Sequence, residues 1–300
     1  MVKKRGNRLG FWFFRTAVRL FGLSGAYGLL YPVCLYYLAL DRAAVSASLA
    51  YIGRRFRSYN FLQRTWGVYE LLINQGKNLI DRYYLVSGHG RFDIEIRGLE
   101  KMETCLNNPA KGFILLTAHV GNWQVTMTAL ARLGRVVCML MRPEDNAVVK
   151  EALGVDRNEG LIRIISSDGF LGGVVEATNA IREGSLVSIM GDRSYGYGTT
   201  EVKFLGEFAG FPYGAFGIAA AVQCPVFVLL SAKTGTRKYV VEISQISVPP
   251  HVPRKNRHEA LTGPVQEFAD ILDSYVTRYP FQWFVFDDIW QKGSGFKVHG

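Results

Sequence analysis

No charged residue occurs between Arg19 and Asp41. As a helix, the uncharged run at 20–40 is long enough to cross a hydrocarbon core of about 30 Å. Tyr27, Tyr31, Tyr36 and Tyr37 add amphipathic rings suited to a lipid–water boundary. A cleaved leader fits poorly, because the apolar run is long and no small-residue cleavage pattern ends it. A plain single span also fits poorly. Basic residues stand on both sides of the run, and Gly22, Gly25, Gly28 and Pro32 interrupt it. A re-entrant or interfacial helix, with both flanks near anionic headgroups, suits the charges better. A buried helix of a soluble domain is the competing reading.

Charge separates this segment from the rest. Residues 1–64 hold eleven Lys and Arg against the single acid Asp41, whereas the remaining 236 residues are balanced. The net charge of +10 therefore belongs to the N-terminal segment, which points to an anionic lipid surface. Nucleic-acid binding would instead need the basic residues on a soluble face. The expected organisation is a basic and hydrophobic membrane-anchoring segment at 1–64 followed by one catalytic-sized domain at 65–300. Cys34, Cys105, Cys138 and Cys224 are scattered, with no Cys-x-x-Cys and no histidine at ligand spacing. They read as buried hydrophobes in a reducing compartment, and no metal site is expected.

From Lys111 onward, short apolar runs alternate with helical patterns. Strands are expected at 112–117, 135–140, 162–166, 186–190, 225–231 and 239–246, and helices at 122–133, 172–183, 213–223 and 259–278. Together these imply an α/β fold, a central mixed sheet flanked by helices, with an N-terminal hydrophobic membrane-associated helix.

The chemistry concentrates at 117–124, Thr-Ala-His-Val-Gly-Asn-Trp-Gln, where a strand ends and a helix begins. A helix N-terminus favours negative charge, and a histidine beside it can act as a base near neutral pH. Asn122 is placed to cap the helix. His119 and Gln124 would lie about 140° apart on a straight helix, so they meet only if His119 sits in the turn before it. Gly121 gives that turn its freedom.

The block Ala-His-x-Gly-Asn-Trp at 118–123 resembles the His-x4-Asp/Glu signature of the lysophospholipid acyltransferase superfamily, in its lipid A lauroyl/myristoyl acyltransferase-like branch. Further blocks agree in order: Met-Leu-Met-Arg-Pro at 139–143, Met-Gly-Asp-Arg at 190–193 with Gly-Phe-Pro-Tyr-Gly-Ala at 210–215, Cys-Pro-Val at 224–226, and Tyr-Pro-Phe-Gln-Trp-Phe at 279–284. The resemblance implies transfer of a fatty acyl chain from an acyl carrier protein or acyl-CoA thioester to a hydroxyl or amine of a membrane lipid. It implies the cytoplasmic face of a bacterial inner membrane as the location. His119 is the implied general base, and no cofactor is implied. Arg142 and Arg193 would grip phosphate as planar forks. Asp192, Asn122, Tyr213 and Gly214 complete the implied substrate-binding set.

The chain departs from the pattern at one point, because the acid position holds Gln124. Its carbonyl can accept the imidazole N–H but carries no charge to stabilise an imidazolium. Three readings stay open: an adequate partner, a protein that binds lipid or acyl carrier without turnover, or a substituted glutamate.

Overall fold

The computed structural model describes residues 8–88, 90–123, 125–126, 130, 134–141, 162–167, 170–193, 198–247, 257–284 and 287–290. Its centre is a seven-stranded sheet built from β1 (Asp93–Arg97), β2 (Phe113–Thr117), β3 (Val137–Met141), β4 (Ile162–Ser166), β5 (Leu186–Met190), β8 (Val226–Gly235) and β9 (Lys238–Ile246). The spatial order is β1-β9-β8-β2-β5-β3-β4. Every neighbouring pair is parallel except the β8–β9 hairpin, so the sheet is mixed.

β2 lies at the middle of this order and is buried along its whole length. That is why Phe-Ile-Leu-Leu-Thr reads as a continuous apolar run. Its side chains alternate between two cores, as the two-residue period requires. Ile114 and Leu116 enter the larger core, with residues of helices α1 (Arg8–Gly28), α2 (Leu30–Leu40), α4 (Phe61–Val86), α7 (Gly214–Val222) and α8 (Arg257–Arg278). Phe113 and Leu115 enter a smaller core with Met102 of α5 (Glu100–Leu106), Leu130 and Phe227. Helices therefore cover both faces, as the alternation of apolar runs implies. Two further helices among the described residues are α3 (Arg42–Arg55) and α6 (Val174–Arg182).

The uncharged N-terminal run does not form one rod. Gly22 adopts φ 66° and kinks α1, and α1 meets α2 at a bend of 53° around Leu29. Among the described residues no single helix is long and apolar enough to cross a membrane, although the bent pair passes that test jointly. Ala17, Val18, Ala26, Tyr27, Leu30 and Cys34 are buried in the larger core, so these helices pack on the domain. The division drawn at residue 64 falls in the first turn of α4.

β1, α5 and one hairpin have no counterpart among the elements expected from sequence. β6 (Thr199–Phe204) and β7 (Glu207–Pro212) form a separate antiparallel hairpin that packs on α8. Its two-residue loop has positive φ at both Leu205 and Gly206, the geometry that matches strand twist. Leucine is a poor residue for that position. Its N–H donates to Asp273 and its carbonyl accepts from Arg57, which hold it there.

Candidate active site

β2 and β5 are hydrogen-bonded parallel neighbours, with Thr117 opposite Met190. The Gly191 N–H donates to the Thr117 carbonyl at 2.8 Å and carries the pairing one step past the strand ends. Two residues beyond each strand, His119 and Asp192 come side by side at the carboxyl edge of the sheet, where open α/β sheets place their sites. The His119 main-chain N–H donates to Asp192 Oδ2 at 2.8 Å, and Nδ1 lies 2.8 Å from Oδ1. A third donor arrives from the Trp283 indole, 2.9 Å from Oδ2.

Asp192 is fully buried and the His119 side chain is 19% exposed. Burial alone would raise the Asp192 carboxyl. The attraction of the His119 imidazole and the hydrogen bonds from His119 and Trp283 outweigh it and hold the group below the ordinary carboxylate range. Asp192 is therefore an ionised acceptor near neutral pH.

The turn that carries His119 is clamped from both sides. Residues 282–284 run antiparallel to it: Phe284 N–H donates to the His119 carbonyl at 2.7 Å, and Gly121 N–H donates to the Gln282 carbonyl at 3.0 Å. The Gln282 side chain is itself fixed by two bonds to the Lys233 main chain, at 2.7 and 2.9 Å. On the other side, the Asn122 N–H donates to Ser231 Oγ at 2.9 Å, and Asn78 donates to the Gly121 carbonyl. Gly121 is in the left-handed region at φ 47°, and a Cβ there would lie 1.9 Å from the Ser231 carbonyl oxygen. Gly121→Ala is expected to cost at least about 1–3 kcal/mol, read as a lower urea midpoint; an unchanged midpoint would mean the turn is softer than this packing implies.

Behind the turn lies a second buried acid. The fully buried Asp81 of α4 accepts hydrogen bonds from Tyr27 on α1, Tyr239 on β9 and, at 2.6 Å, Lys233 on β8. The Lys233 ammonium lies 4.9–5.2 Å from the ring centres of Tyr27, Phe92 and Tyr239. Burial pushes the Asp81 carboxyl up and the Lys233 ammonium down, and their mutual attraction opposes both shifts. Asn122 hydrogen-bonds Tyr239, so the cluster reaches the His119 turn.

The residues named from sequence disperse unevenly. His119, Asp192 and Arg193 come together, with Arg193 Nε 2.9 Å from Asp287 Oδ2; the N–H points off that line, so the contact is an ion pair and not a hydrogen bond. Asn122 is buried and caps its helix by accepting from the Val125 N–H at 3.4 Å. Tyr213 and Gly214 start α7, with the Tyr213 ring edge-on to His258. Gln124 and Arg142 lie outside the described residues.

One expectation changes. The carboxylate on His119 Nδ1 is Asp192, which sequence grouped with the substrate binders, whereas the orienting role expected of Gln124 falls on a residue outside the described ones. A parallel-strand register across 73 positions brings the pair together, and no local spacing reports that. Trp283, Gln282, Ser231 and Asp81 were not singled out as parts of the site. For Gln282 and Trp283 the Tyr-Pro-Phe-Gln-Trp-Phe block was the visible signal, and Ser231 and Asp81 had none. Among the described residues no group of three or more His, Cys, Asp or Glu side chains could hold a metal ion, and the four cysteines are free thiols.

A family model described as bacterial lipid A biosynthesis acyltransferase matches residues 89–292, a span that includes the whole His119–Asp192–Trp283 constellation. No curated protein matches the chain.

Proposed function

Since the chain belongs to the bacterial lipid A biosynthesis acyltransferase family, we propose that it moves a fatty acyl group from an acyl carrier protein or acyl-CoA thioester to a hydroxyl or amine of a membrane lipid, with His119 as general base and Asp192 as its orienting acid. The observation that carries this reading is the pair itself: an imidazole at the carboxyl edge of the sheet, bonded through Nδ1 to a buried carboxylate held ionised.

The steps follow from that pair. Nδ1–H donated to Asp192 fixes the tautomer, so proton transfer runs through Nε2. His119 takes the acceptor's proton, and the freed oxygen or nitrogen attacks the thioester carbonyl carbon. The tetrahedral adduct collapses, the C–S bond breaks, and the departing thiolate recovers the proton from His119. Asp192 stabilises the transient imidazolium without taking its proton. Arg142 and Arg193 bind anionic groups of donor or acceptor, Arg193 by exchanging its contact with Asp287. Asn122, Tyr213 and Gly214 then act on substrate only through the elements they start. Segment 1–64 seats the protein on the cytoplasmic face of the inner membrane, and 65–300 forms the acyltransferase unit.

A second reading, a non-catalytic lipid- or carrier-binding protein, is favoured by Gln124 in the His-x4-acid block. Transfer from labelled acyl carrier protein or acyl-CoA into total membrane lipid separates the two. The chain should be active, His119→Ala should abolish transfer, and Gln124→Glu should alter the rate less than about 10-fold, because the imidazole already has its carboxylate. Carrier binding with no transfer by any of these proteins would establish the second reading. Activity restricted to Gln124→Glu would overturn the role given to Asp192.

A further inference from the structure

Helix α4 opens on large apolar side chains that the chain leaves uncovered: Phe61 is 74% exposed, Leu62 75% and Trp66 61%. These values do not come from a frayed end. Asn60 and Gln63 form a reciprocal cap, each side chain bonded to the other's main-chain N–H, so the first turn is fixed. Leu62 and Trp66 are four residues apart and share a helix face, with Phe61 beside them. An apolar group of this size on a well-ordered turn marks an interaction surface.

The surroundings identify the partner. α2 packs against α4: Leu30 meets Gly76, and the Tyr69 hydroxyl donates to the Tyr31 carbonyl. α2 itself carries exposed Leu35, Tyr36 and Leu40, so the helix packed on α4 also presents an uncovered apolar surface. Arginines flank the patch in the chain. Arg55, Arg57 and Arg64 are each anchored by main-chain carbonyl oxygens, and among the described residues no carboxylate pairs with them. Exposed apolar side chains on a segment flanked by guanidinium groups that no described carboxylate neutralises match the boundary of an anionic lipid leaflet, with rings and methyls in the acyl region and cations at the headgroups. A protein partner would need acidic groups around an apolar knob of its own.

We propose that the first turns of α4 form a second membrane-insertion element, an arginine-flanked wedge of Phe61, Leu62 and Trp66 that enters an anionic leaflet. This deepens the membrane assignment made above, rests on it, and is independent of the chemistry at His119.

The test uses the full-length chain diluted from detergent onto phosphatidylglycerol–phosphatidylcholine vesicles or pure phosphatidylcholine vesicles, read by flotation. The wild type should prefer the anionic vesicles, and the preference should shrink as salt rises. The triple variant Phe61→Ser/Leu62→Ser/Trp66→Ser should keep its thermal midpoint, since all three side chains face outward, yet lose about 100-fold or more in partition onto the anionic vesicles. Brominated lipid should quench the part of the emission that disappears in Trp66→Phe. A triple variant that floats like the wild type, or a Trp66 that bromine does not quench, overturns the wedge while leaving the membrane assignment standing. A wild type that binds neither vesicle overturns both. Lipid-free self-association abolished by the triple substitution, without a change in flotation, would assign the patch to a second copy of the chain and overturn the proposal.

Discussion

Asp192→Asn is expected to lower the rate of acyl transfer about 10⁴-fold at saturating donor and acceptor, while the protein stays folded. The magnitude follows from what an amide does at this position. Its carbonyl can keep the contact with the Trp283 indole, so packing survives. The other half of the amide then presents N–H donors to His119 Nδ1, where the carboxylate had accepted. The imidazole must turn its lone pair toward Nδ1 and protonate Nε2, the wrong tautomer for a base, and the imidazolium loses its counter-charge. The same change in the catalytic triad of serine proteases costs about 10⁴-fold. Rate constants measured beside a circular dichroism melt decide the matter, and a fall of less than tenfold would remove Asp192 from the mechanism. The pH sign is fixed by direction. The folded carboxyl lies below its ordinary 3.8, so the stability it contributes is complete above that value and is lost only as pH falls through the lowered one. The dyad should therefore hold through the whole neutral range.

Lys233→Met should cost about 3–5 kcal/mol of folding stability, the penalty for stranding one member of a buried ion pair. Methionine suits the site except for the charge and the solvent-facing hydrogen bond that Lys233 gives the Thr236 carbonyl. The space beside Tyr27, Phe92 and Tyr239 is aromatic, and a thioether packs well on rings. The loss therefore reports Asp81, left buried with only tyrosine hydroxyls to satisfy it. Adding Asp81→Asn to Lys233→Met removes the stranded charge and should recover at least half of the deficit, a coupling visible in urea unfolding as strong non-additivity. Additive losses in the two single variants would show that the pair is not coupled and that its role is shape alone.

Much of this architecture was legible in the chain. The runs at 113–117, 186–190 and 226–231 are apolar because both faces of those strands are covered, and the helices between them keep their period. His119 was legible because it follows a buried strand and precedes a cap. Its acid was not. The His-x4 spacing drew attention to Gln124, whereas the partner is set by hydrogen bonds between β2 and β5, two segments some seventy residues apart. The β6–β7 hairpin hid for another reason. Thr200, Val202 and Phe204 point inward and alternate with exposed neighbours, as a half-buried strand should, but the adjoining Gly-Phe-Pro-Tyr-Gly had been taken as a motif block and not as a strand with its turn. The kink in α1 falls at Gly22, one of the glycines that interrupt the uncharged run, where φ is 66°.

The antiparallel seam between residues 119–121 and 282–284 fixes an order of events during biosynthesis. His119 and Asp192 are translated well before Trp283, and at a typical 5–20 residues per second on the order of ten seconds separates the first from the last. Until residue 284 has left the ribosome, the His119 carbonyl and the Gly121 N–H lack their partners and Asp192 lacks its indole donor. The apolar amino-terminal helices emerge long before that. A nascent chain therefore presents its apolar helices first and completes the His119–Asp192–Trp283 constellation last, and a ribosome that stops short of Gln282 releases a polypeptide whose histidine turn has never been closed.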